Sequence, residues 1–192
     1  MNKTIDIANR YKKIIDWETF FNIVYQLGDK CNGRKDRFDK ADIFEQAIEI
    51  CSNNKLKWID GIGRDHRDIE YELDIEFKYQ NQCMFYKNLK KKNVVKIKIK
   101  NSLGKTKNKT IENPADYYMF SQENAVGIIS YKEMESYLNI VGDGLSTEIP
   151  HDKITIIVPP HKINIFNNIK CIDYKAKKRE MQRQFIMSIK QN

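Results

Sequence analysis

A chain of 192 residues with 41% hydrophobic content is long enough to bury one real core, and no apolar run approaches the ~20 residues that a membrane span needs. The net charge of +8, from 34 Lys and Arg against 26 Asp and Glu, points to a polyanionic partner, nucleic acid before any other. The four cysteines, Cys31, Cys51, Cys83 and Cys171, form no C-x-x-C pair, which argues against a zinc finger or a disulfide framework; with the polar start MNKTIDIANR, the expectation is a cytoplasmic protein with reduced thiols and no signal peptide.

Residues 5–28 are predicted helical in one or two pieces. Asp16 is placed to cap a new turn, and Phe20, Phe21, Val24 and Leu27 form an apolar stripe closed by Gly28. A polar, basic connection leads to a second helix over Ala41–Cys51, with Ile43, Phe44, Ala47, Ile48 and Cys51 on one face and Glu45 and Glu49 on its flank. A short apolar run, Leu56–Ile59, then reads as a strand ending at Asp60, because Asp60-Gly61-Ile62-Gly63 is a turn signal. The segment Arg64-Asp65-His66-Arg67-Asp68 leads into the next strand.

That strand is Ile69–Tyr79, in which apolar and charged residues alternate strictly. Ile69, Tyr71, Leu73, Ile75, Phe77 and Tyr79 point one way; Glu70, Glu72, Asp74, Glu76 and Lys78 point the other. Carboxylates so close repel, and they need solvent, basic partners or a divalent cation. Solvation alone accounts for Glu70 and Glu72, whereas Asp74 is a possible substitute for Glu76 as a ligand.

Between Cys83 and Thr110 there are ten lysines and no acid, around the alternating strand Val94–Lys100 whose outer face is all lysine. ADYYMFSQ and AVGIISY read as two buried strands, Tyr131–Ile140 as a short helix, Ile154–Val158 as a last strand before Pro159-Pro160, and Asp173–Lys190 as a basic amphipathic helix. His66, His151 and His161 show no metal-binding spacing and read as surface or loop residues, and Trp17 and Trp58 as core. No linker or repeat divides the chain. The expectation is one domain over residues 1–192 of α/β class, a central mixed β-sheet flanked by helices, with N-terminal helices over 5–51, a core over about 40–140 and a C-terminal strand and basic helix over 150–190.

Glu45 on a helix, Asp60 at a strand end before a turn, and Glu76-Phe77-Lys78 on the following strand resemble the PD-(D/E)xK nuclease superfamily, which includes most type II restriction endonucleases. The proline of the family's name is replaced here by Ile59. The resemblance covers roughly residues 40–140 and implies a restriction-endonuclease-like fold and Mg²⁺-dependent hydrolysis of DNA, with Mn²⁺ as a possible substitute. It implies Asp60, Glu76 and the Phe77 carbonyl as metal ligands, Lys78 as the residue that orients or deprotonates the water, and Glu45 as a further acid. Asp65 and Asp68 stay open as the first ligand. Asp68 is the less attractive, since it falls on one continuous strand with Glu76, roughly 26 Å away at ~3.3 Å per residue. So small a chain has little with which to read a sequence in double-stranded DNA. It therefore implies either a homodimer or a catalytic subunit that borrows recognition from a larger partner, as in heterodimeric type IIS enzymes. A repair nuclease and a non-catalytic nucleic-acid-binding subunit are the alternatives.

Overall fold

The fold comes from a computed structural model in which residues 3–28, 44–61, 64–79, 94–99, 111, 113–122, 125–141, 144–159 and 186–187 are described. Helix α1 (Lys3–Ile14) buries Thr4, Ile7, Ala8 and Tyr11, the i, i+3, i+4, i+7 spacing of one helix face. Helix α2 (Trp17–Gly28) starts at Asp16, whose carboxylate accepts from Thr19 N at 3.1 Å and Thr19 Oγ1 at 2.7 Å, as the cap predicted. Phe20 and Phe21 are fully buried; the side chains of Val24 and Leu27 lie outside the described residues. Helix α3, described over residues 44–51, buries Phe44, Ala47, Ile48 and Cys51. It ends through Asn53 and Asn54 at φ 52° and 61°, a left-handed conformation that asparagine tolerates.

Strands β1 (Leu56–Gly61), β2 (Arg64–Asp68) and β3 (Leu73–Tyr79) follow as an antiparallel meander. The chain then contributes β4 (Val94–Ile99) to a second sheet and returns with β5 (Tyr117–Gln122) and β6 (Ala125–Ser130). A short helix α4 (Tyr131–Met134) and a 3₁₀ turn lead to β7 (Leu138–Val141), β8 (Gly144–Pro150) and β9 (Thr155–Val158). The main sheet has the order β1-β2-β3-β5-β6-β9, mixed because β3 and β5 run parallel; β4-β8-β7 form a three-stranded antiparallel sheet. The α/β class and the central mixed sheet are therefore as expected.

Each face of the main sheet carries its own core. Ile75, Phe77, Tyr117, Met119 and Ile128 pack with α1, α2 and α3, and Phe20 meets Phe77 edge-on with ring centroids 5.7 Å apart. Tyr118, Phe120 and Ile129 point the other way and pack with Ile111, Met134, Leu138, Leu145 and Ile149. Strand alternation thus sets two hydrophobic layers on opposite sides of one sheet.

Four expectations need correction. The strand predicted over Ile69–Tyr79 begins only at Leu73: residues 69–72 are a turn, Ile69 and Tyr71 are exposed, and Glu72 has φ 54°. The reason is Asp68, whose Oδ1 accepts from Glu70 N and Tyr71 N at 3.0 and 3.2 Å, a local bonding pattern that outcompetes the ladder. Conversely, Arg64–Asp68 is a strand, so β1 is the neighbour of β2 and not of β3. Asp68 is also not on one strand with Glu76, since the turn folds them back on each other. The predicted helix Tyr131–Ile140 is a single helical turn whose continuation pairs as β7 with β8 over Leu138–Val141.

The lysine-bearing strand is present in the backbone as β4, with Lys96 in register with Glu148 and Lys98 with Ser146; its side chains lie outside the described residues. The predicted basic helix 173–190 also lies outside them except at residues 186–187, where Ile186 is buried in the helix-side core. Among the described residues no helix is long and apolar enough to cross a membrane.

Candidate active site

Strand β3 puts Glu76 and Lys78 on the sheet face turned away from α1–α3, in register with Tyr118 and Phe120 of β5. On its other side the β2–β3 ladder ends at His66↔Ile75, with Asp65 the next residue along β2. Phe77 N donates to Asp65 Oδ2 at 2.7 Å, so the Asp65 carboxylate takes up the ladder donor next in line. In a strand the N–H and C=O of one residue point to the same neighbour, so the Phe77 carbonyl also faces the β2 side.

Asp65, Glu76 and Lys78 therefore share one face. Glu76 Oε1 is ion-paired with Lys78 Nζ, and Glu76 Oε2 is buried with no hydrogen-bond partner. The Glu76 side chain is 6% exposed and that of Lys78 31%, so solvent reaches the cluster past the ammonium while the acids lie beneath it. Burial raises the Asp65 carboxyl above its ordinary value, opposed in part by the charge of Lys78 and the bond from Phe77 N. Burial also pushes the Tyr118 hydroxyl up, with the nearby Asp65 charge adding to it. Two desolvated carboxylates with a single lysine between them leave negative charge undercompensated, and an orphaned carboxylate oxygen there is costly unless a cation meets it.

The remaining acids are placed differently. The backbone of Asp60 lies in β1, one strand removed from β3, beside a register shift between Trp58 and Gly61; its side chain lies outside the described residues. Glu45 sits on α3, against the opposite face of the sheet. Its Oε2 accepts from Trp58 Nε1 at 3.0 Å, and its backbone oxygen is 2.7 Å from His66 Nε2. Asp68 is fully buried and receives Arg10 through both oxygens, Nε to Oδ2 at 2.9 Å and Nη2 to Oδ1 at 3.1 Å, which ties the β2–β3 turn to α1. Asp74 gives one oxygen to Arg64 Nη1 at 2.6 Å and the other to Arg67 Nη1 at 2.9 Å, which leaves it poorly placed as the substitute for Glu76.

His66, expected on a surface or loop, is fully buried, and burial pulls its imidazole down to about 4. It serves as a neutral strut between β2 and α3. Sequence reasoning also missed the Asp74–Arg64–Arg67 cluster. The available signal was the charge pattern of Arg64–Asp68, which is that of a strand with two polar faces.

Among the described residues no group of three or more His, Cys, Asp or Glu side chains forms a complete metal cage. Mg²⁺ does not require one, since it is commonly held by one or two carboxylates with water and substrate phosphate. The donor set of Asp65 and Glu76, with Glu76 Oε2 unpartnered, fits that mode. Comparison with protein-family models, with curated proteins and with solved structures gave no match.

Proposed function

We propose that the chain is a Mg²⁺-dependent nuclease hydrolysing DNA phosphodiesters, with Asp65 and Glu76 as the metal-holding carboxylates and Lys78 as the residue at the attacking water. One observation carries this reading: two buried acids and a solvent-reached lysine converge on one face, with one acid oxygen left unpartnered. Asp65 takes the role expected first of Asp60, because its carboxylate is bonded to the Phe77 amide, next to Glu76 on the same strand. Glu45 is a supporting residue on the other face.

When bound, Mg²⁺ lowers the pKa of a water and offsets charge on the phosphate. Lys78 would hold the water in line with the phosphorus and stabilise the negative charge that builds as the new P–O bond forms and the bond to the leaving sugar oxygen breaks, with the water's proton passing to solvent and the leaving oxygen taking one from solvent. Asp65 is fixed by the Phe77 amide, so the acids are preorganised. The size of the chain fits a subunit of the restriction type that acts with a larger recognition subunit or a second copy. The net charge of +8 supports a nucleic-acid substrate and equally a non-catalytic binding subunit.

The test is cleavage of duplex DNA with Mg²⁺, assayed alone and with the rest of the assembly purified from its source. Loss of cutting in both Glu76→Ala and Lys78→Ala is the expected result. Cutting that survives both substitutions refutes the site, and salt-sensitive binding without any cutting leaves the binding-subunit reading.

A further inference from the structure

We propose that Arg64 and Arg67 form a two-pronged clamp for a DNA backbone phosphate beside the acidic pair, with Asp74 as the residue that positions both. The proposal rests on the nuclease reading for the identity of the neighbouring site, although the binding it describes needs no cleavage. Asp74 is 8% exposed and accepts one guanidinium on each oxygen, whereas the side chains of Arg64 and Arg67 are 41% and 46% exposed. A buried acid thus anchors two cations whose outer halves face solvent. Each guanidinium carries five N–H donors, and the one bond each makes to Asp74 leaves the remainder of both forks available in a fixed orientation.

The charge balance favours an anion there, since two guanidinium groups share one carboxylate. Of the other acids, Asp116 accepts from the Asp74 amide at 2.8 Å on the β5 side of β3, whereas the arginines come from β2, and Asp65 and Glu76 lie further along their strands. If the cluster served stability alone, it would be a poor device: half-exposed ion pairs contribute only about 0–1 kcal/mol each. As an anion clamp the same geometry is productive, because bidentate guanidinium groups match phosphate oxygens.

The placement matches the candidate site. Arg67 is in register with Asp74, two residues along β2 from Asp65, and Asp74 lies two residues along β3 from Glu76. That step is roughly 6.6 Å at ~3.3 Å per residue, so Arg67 and Asp74 lie two residues along the strands from the acids on the same face, and the Arg64 guanidinium reaches Asp74 there. A single strand of DNA passing Lys78 and Glu76 is then gripped at a neighbouring phosphate.

The experiment is fluorescence anisotropy of a labelled DNA duplex with the full chain in EDTA, from about 50 to 200 mM salt. Arg64→Gln and Arg67→Gln are each expected to reduce the slope of log K against log salt by about 0.9, the value of one phosphate contact. Arg67→Lys, which keeps the charge, retains the slope. Lys13→Gln removes the same charge from an exposed position on α1, across the sheet, and leaves the slope unchanged. Equal slopes for Arg67→Gln and Lys13→Gln overturn the clamp, as does a wild-type chain that shows no salt-dependent binding. Because EDTA removes the metal, the slopes are read whether or not the protein cuts DNA. An active nuclease with an unaltered Arg67→Gln slope overturns the clamp alone, and a normal slope loss in a protein that never cuts overturns the nuclease reading alone.

Discussion

Substituting Asp65 by Asn should make the metal-free protein more stable and abolish its response to metal. Burial raises the Asp65 carboxyl above its ordinary 3.8, so the folded state holds that proton more tightly than the unfolded one. Its contribution to stability is fully present below pH 3.8 and is lost as the pH rises through the raised folded value. At neutral pH without metal, the folded chain therefore carries a buried charge it would shed if it could. For a chain of this size 1 kcal/mol moves Tm by about 2–4 °C. Asn keeps an oxygen to accept from Phe77 N and removes the charge, so Asp65→Asn should melt at a higher temperature than wild type in EDTA. Metal reverses the comparison: at a hundred times its Kd it stabilises the wild-type fold by about 2.7 kcal/mol and has no comparable effect on the variant. Thermal melts at pH 7, in EDTA and in an MnCl₂ series, measure both. A variant less stable than wild type in EDTA, or one stabilised equally by Mn²⁺, refutes the argument that Asp65 is held ready for a cation.

Asp68→Ala should cost about 1.5–3 kcal/mol in urea denaturation, since it removes the bidentate partner of Arg10 and leaves that guanidinium only the exposed Glu70 carboxylate at 2.9 Å, and it should leave Mn²⁺ binding by the folded fraction intact. His66, with its imidazole held down to about 4 against an ordinary 6.5, contributes stability that is present above pH 6.5 and lost as the pH falls through 4. Urea midpoints between pH 7 and 4 should therefore fall by up to roughly 3 kcal/mol of stability, and His66→Gln should flatten most of that slope. Glu72→Gly should stabilise the fold by up to about 1 kcal/mol, because residue 72 holds φ 54° and glycine has no Cβ to strain there; a loss in the same melt would show that Glu72 makes a contact that matters more.

How much of this was legible in the sequence differs by element. Helices α1–α3 and strands β5 and β6 announce themselves because their apolar spacing has one period and their burial is one-sided or complete. The pairing of Glu76 with Lys78 was equally readable, since strand alternation alone puts positions 76 and 78 on one face. The identity of the partner acid was not. Arg64–Asp68 contains no apolar residue, so a hydrophobic pattern cannot mark it as a strand, yet the structure buries Asp65, His66 and Asp68 through bonds to Phe77, Glu45 and Arg10. Those bonds join residues 12, 21 and 58 positions apart, and nothing local encodes them. Ile69–Glu72 misled for the opposite reason: its alternation is that of a strand, but the Asp68 carboxylate closes the turn.

Strand β2 explains why the site can carry buried charge at all. From Asp65 to Asp68 its residues divide by parity: His66 and Asp68 reach back to α3 and α1, while Asp65 and Arg67 face the polar side of β3. The first pair, both fully buried, fastens the strand to the helical layer, and that fastening holds Asp65 in place against the desolvation of its own charge. Variants at the two parities should therefore fail in different ways. Loss of Asp68 or His66 lowers stability and leaves the chemistry of the remaining folded protein unchanged, whereas neutralising Asp65 raises metal-free stability and removes metal response, and neutralising Arg67 costs no more than about 1 kcal/mol and removes phosphate grip. A functional site that relies on uncompensated charge needs such a strand, and the five residues Arg64–Asp68 are enough to provide one.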